Sequence, residues 1–93
     1  MTYFVAKIPS LYYNGDAEIL PTSFVEESMA SEHARSRTVA PVNVSTRIND
    51  TLYIACKYAV IGAESEAEAL RIAKTDARFV EMRKARATTY IED

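Results

Sequence analysis

Cysteine, glycine, histidine and tryptophan are nearly missing from this chain of 93 residues, which has one Cys, two Gly, one His and no Trp. A lone cysteine, Cys56, excludes a disulfide framework and points to a reducing compartment. Gly15 and Gly62 lie too far apart in sequence to build a glycine-rich phosphate loop. His33 has Ser31 and Glu32 beside it, yet no catalytic triad or zinc site can be assembled from one imidazole. The acids Glu26, Glu27 and Glu32 around it meet no metal-ligand spacing. No catalysis, metal or cofactor is therefore expected. The first nine residues lack the basic start and apolar stretch of an export signal. The longest apolar run, Leu52 to Ile61, is interrupted by Lys57 and falls short of the roughly 20 residues of a membrane helix. Asn43 and Asn49 open glycosylation sequons that read as chance without such a signal. A cytoplasmic protein with no membrane contact is the expectation.

What the chain does have is 48% hydrophobic and 26% charged residues, the make-up of a single domain over 1–93. A formal charge of −2 argues against bulk electrostatic binding of nucleic acid but leaves room for a local basic patch. Alternation is clearest from Val42 to Ile61. Val42, Val44 and Ile48 face one way and Leu52, Ile54, Cys56, Tyr58 and Val60 continue the same face in a second strand. Keeping these residues together requires an odd loop, so three residues, Asn49 to Thr51, are expected between the strands, with a five-residue loop also satisfying the parity. Met1 to Ile8 and Thr88 to Ile91 read as further strands.

Helix signals follow. Ser65 and Glu68 form a capping box, acids open the segment, Arg83, Lys84 and Arg86 close it, and no Gly or Pro intervenes. One long helix from Glu66 to Ala87 is predicted, with Leu70, Ile72, Ala73, Ala77, Phe79 and Val80 as its apolar side. Asp76 interrupts that stripe, and Thr75-Asp76 could cap a second short helix. Residues 9–41 carry weaker signals: a turn at Tyr13-Asn14-Gly15-Asp16, and a capping box at Ser23 to Glu26 that predicts a helix from Phe24 to about Ala34. The resulting fold class is α+β, a small antiparallel sheet with one long C-terminal helix and a second short one on the same face. The element order βαββαβ matches the ferredoxin-like plan.

Such a plan leaves one sheet face bare. With Cys56 and its neighbours under the helices, the bare face would present Arg47, Tyr53 and Lys57, joined by Tyr3, Lys7 and Tyr90. Rings and cations together suit stacked bases and phosphates, and equally a protein interface. A second basic patch is expected on the long helix at Arg71, Lys74 and Arg78, away from its apolar side. The order of elements is all that is shared with RNA-recognition modules, because Leu52 to Tyr58 lacks their glycine and aromatic spacing.

The strand that runs into an Ala-Glu-Ser-Glu-Ala-Glu-Ala helix start, Val60 to Leu70, in a small chain without catalytic residues, resembles small phage-encoded accessory proteins, including inhibitors of the anti-CRISPR type. The resemblance implies a non-enzymatic binding protein that occupies a surface of a host protein or nucleoprotein complex, in the host cytoplasm, without cofactor. It transfers no site residue. Two alternatives stand beside it: a single-stranded nucleic-acid-binding domain using the tyrosine face, and a homo-oligomeric structural protein.

Overall fold

The computed structural model describes residues 1–10, 15–38, 46–48, 51–53 and 56–84. Its elements run β1 (Thr2–Pro9), β2 (Glu18–Phe24), α1 (Glu27–Thr38), β3 (Thr46–Ile48), β4 (Thr51–Tyr53), β5 (Cys56–Ala63), α2 (Glu66–Thr75) and α3 (Ala77–Lys84). The class is α+β with a small antiparallel sheet, in the strand order β2-β1-β5. The βαββαβ order is not what the described residues give, since two strands precede α1, and the expected last strand, Thr88 to Ile91, lies outside them.

Alternation along β1 explains the layering. Phe4, Ala6 and Ile8 join Ile61, Ala63, Ala69, Ala73 and Phe79 in one buried cluster, under α2 and α3. Val5 joins Ala30 and Ala34 in a second cluster, edged by Tyr3, Leu20, Phe24, Tyr58 and Val60, under α1. The helices therefore cover opposite faces of the three-stranded sheet, which corrects the expectation of one bare face. A strand buried on both sides loses its polar alternation and becomes a continuous apolar run. Tyr58 to Ala63 is such a run. Alanines with little or no exposure let the helices ride close to the sheet, namely Ala30 and Ala34 on α1 and Ala69 and Ala73 on α2. On β5, Gly62 stands opposite Tyr3. A Cβ there would come within 3.3 Å of the Tyr3 ring and 2.6 Å of the Met1 sulfur, so glycine makes room for the side chains above it.

The predicted long helix is two helices. Asp76 has extended backbone (φ −67, ψ 133) and ends α2 by donating its amide to the Ile72 carbonyl at 2.9 Å. Its carboxylate then accepts from the Arg78 amide at 2.8 Å, and its carbonyl from the Phe79 and Val80 amides, so one residue closes α2 and opens α3. The break brings Phe79 into the core, where it is 3% exposed. Ala69, rather than Leu70, carries the buried position beside Ala73, and Ala77 is exposed. At the start of α2 the Ser65 hydroxyl accepts from the Glu68 amide at 3.1 Å as expected, but the Glu68 carboxylate accepts from the Glu64 amide instead of that of Ser65.

Two further expectations are corrected. Ser23 lies within β2 opposite Phe4, so the box at Ser23 to Glu26 does not form and α1 begins at Glu27. The β3–β4 ribbon pairs Ile48 with Thr51, leaving the two residues 49 and 50 between the strands instead of three. Leu52 and Cys56 belong to different strands in different sheets, so the parity argument that joined them in one strand and demanded an odd loop does not apply. Asn-Asp suits a two-residue hairpin connection. The continuation of the expected apolar face through Val42, Val44 and Ile54 lies outside the described residues.

Candidate functional site

Pro21 determines the shape of the sheet's outer edge. Proline offers no amide hydrogen to a ladder and is confined to edges and bulges. In β2 the register moves from Phe4–Ser23 to Ala6–Ile19, so Leu20, Pro21 and Thr22 together stand against Val5 alone. Leu20 turns inward to the α1 cluster, while Pro21 and Thr22 remain exposed. The bulge and the outer flank of α1 enclose an open cavity of about 220 Å³ lined by Leu20, Pro21, Thr22, His33 and Arg37.

The helix contributes residues at a spacing of four. Met29, His33 and Arg37 fall on successive turns of one flank. The His33 ring packs against Phe24, with centroids 5.5 Å apart and planes tilted by 47°. The Arg37 guanidinium carbon lies 5.9 Å from the centre of the Tyr58 ring, a cation–π contact, and Arg37 has no carboxylate within ion-pair distance among the described residues. Beside it, Thr38 fixes the end of α1. Its hydroxyl donates to the Ala34 carbonyl at 3.0 Å and accepts from the Tyr58 amide at 3.2 Å. Near this flank the chain also exposes two large apolar side chains, Val25 at 86% and Met29 at 54%.

The residues expected on one bare sheet face are divided between the two sides of the three-stranded sheet where the structure places them in it. Lys57 is half-buried opposite Ile8, on the face covered by α2 and α3, whereas Lys7 stands opposite Tyr58 on the α1 face. Tyr3 packs under α1. Arg47 pairs with Leu52 and Tyr53 with Thr46 in the β3–β4 ribbon, apart from the three-stranded sheet. Tyr90 lies outside the described residues. On the helices, Arg71 lies 3.9 Å from the Glu68 carboxylate, and Arg78 binds Asp76 through Nε at 3.1 Å while covering the Phe79 ring at 4.9 Å. Lys74 is exposed on α2. With Arg71 and Arg78 each beside an acid, the expected basic patch is largely compensated. Arg83, expected to serve the helix end electrostatically, donates to the Pro9 and Gly15 carbonyls at 2.9 Å each and ties α3 to both ends of the β1–β2 connection. Gly15 has φ 151, a region that favours glycine.

Cys56 is 2% exposed at the start of β5, and burial pushes its thiol above the ordinary value, with Lys7 pulling down and Glu18 pushing up. A neutral buried thiol is a poor nucleophile. Among the described residues no cluster of three or more His, Cys, Asp or Glu could hold a metal, and no helix is long and apolar enough to cross a membrane.

The flank of Met29, His33 and Arg37 was missed in the sequence because α1 is a weakly amphipathic segment. The spacing of four and the proline inside a β-like run were the available signals. Comparisons with family models, curated proteins and solved structures find no match to this chain.

Proposed function

We propose that this chain is a small binding protein without catalytic turnover, which occupies a surface of a larger protein or nucleoprotein complex through the flank formed by α1 and the β2 bulge. The observation that carries this reading is a cavity lined by half-buried His33 and by Arg37, which has no acidic partner among the described residues, with the exposed Met29 one turn before His33 on the same helix. Interfaces are enriched in methionine, arginine and aromatic residues, and side chains of this kind at a concave site usually face a partner. The likeness to phage-encoded inhibitors names the same mode of action, occupancy without turnover. Of the tyrosines expected on an open face, Tyr3 packs under α1, which favours a protein surface over stacked bases as the partner.

The test is site-specific photo-crosslinking in the source cells. A benzoyl-phenylalanine at Met29 is expected to give one discrete adduct that disappears when Arg37→Glu is added. The same group at Arg71, on α2, is expected to give none. Equal labelling from both positions, or no adduct from Met29, would remove the flank as the binding surface.

A further inference from the structure

The cavity is too small for most cofactors. Pockets for drug-sized ligands run from roughly 300 to 1,000 Å³, and the space between α1 and the β2 bulge is about 220 Å³, enough for one or two side chains. We infer that it receives an acidic linear segment of a partner protein, with a carboxylate against Arg37 and His33 and a neighbouring apolar side chain against Leu20 and Pro21. This rests on the binding role proposed above and specifies its partner chemistry.

Charge complementarity carries the argument. The wall from Leu20 and Pro21 is apolar, and the polar groups opposite are the Thr22 hydroxyl, the His33 imidazole and the Arg37 guanidinium. No carboxylate lines the cavity, although α1 carries Glu27 in its first turn and Glu32 beside His33. Arg37 comes from the last turn of the helix, where Arg35 is its only basic companion. The Arg37 guanidinium carbon lies 5.9 Å from the centre of the Tyr58 ring, a cation–π contact made in the absence of a partner. Guanidinium groups pair with carboxylates through two parallel hydrogen bonds, and in an open apolar cleft such a pair fixes both orientation and register. Strand addition is the other route by which a segment could bind at this edge. Pro21 and the bulge prevent it by breaking the ladder of outward amides and carbonyls. A nucleic acid strand would need ring faces to stack on, yet Phe24 is occupied by His33 and Tyr58 by Arg37.

The full chain, labelled with ¹⁵N, is titrated with four probes: capped Asp-Leu-Asp-Leu, Asn-Leu-Asn-Leu and Lys-Leu-Lys-Leu peptides, and oligothymidylate. Only the aspartate peptide is expected to shift the amides of Thr22, His33 and Arg37 in a saturable way. Arg37→Gln should weaken that binding at least tenfold, through loss of the charge-assisted pair, while Arg71→Gln leaves it unchanged. An unaltered spectrum of free Arg37→Gln shows that the fold is intact. Equal binding of the asparagine peptide, shifts produced by oligothymidylate instead, or no shifts from any peptide would overturn the inference. If the Met29 crosslink persists in that event, the flank still binds and only its acidic partner is wrong; if the crosslink fails too, both readings fall.

Discussion

Thr38 joins the two halves of the α1 layer with a single hydroxyl. It donates back to Ala34 within the helix and accepts the Tyr58 amide from β5, so the helix end, the strand and the ring under Arg37 hold a common position. Thr38→Val keeps the shape and removes both bonds. Leaving the part-buried Tyr58 amide without its acceptor is expected to cost about 1–3 kcal/mol, read as a lower urea midpoint at unchanged m-value. Fluorescence or exchange at Tyr58 should change with it. Local partnerships of this kind differ in how far a sequence reveals them. Ser65 capping Glu68 was legible because both residues sit within one turn. The contact from Thr38 to Tyr58 spans twenty positions and depends on how the helix lies across the sheet. Lys57 and Tyr3 were misplaced for the same reason: their neighbours are set by which face each helix takes.

Asp76 shows how one side chain divides a helical segment into two elements. The sequence carried both readings, continuous helix and second cap, and the outcome turns on Phe79, which reaches the core only after the break. The hydrogen bonds from Arg78 hold the Asp76 carboxyl below the usual aspartate value. A group depressed in the folded state stabilises above its unfolded value, and that contribution is lost as pH falls through the folded one. The melting temperature of the wild type should therefore exceed that of Asp76→Asn by a constant margin above about pH 4, and the margin should shrink on further acidification. A margin that grows in acid would refute this account of the junction. At β2 the lesson is similar. Proline within a β-like run is a signal for an edge or a bulge that went unread at Pro21, and the size of the register shift depends on pairing with β1 and is not written in local sequence.

The sheet separates two apolar clusters, one under α1 and one under α2 and α3, with β1 contributing to both. Close helix approach through alanine makes each cluster intolerant of bulk. Ala30→Leu and Ala73→Leu should each destabilise by about 1–3 kcal/mol through overpacking. Because the sites occupy opposite sides of the sheet, their effects should add within about 0.5 kcal/mol in the double variant, as measured by chemical denaturation. Strong coupling would mean that the clusters act as one. The α+β class and the approximate places of β1, β5 and α2 were readable from periodicity and capping. The doubly covered sheet is legible in principle in the uninterrupted apolar run of Tyr58 to Ala63, but the alternation expected from Val42 to Ile61 overlaps that run and implies a one-sided strand instead.

Insulation of one cluster from the other has an evolutionary consequence. Outward positions of the first helix can drift while the larger hydrophobic nucleus on the far side stays undisturbed. A scaffold so partitioned can change its surface by substitutions confined to the eight exposed positions of α1 and keep its architecture.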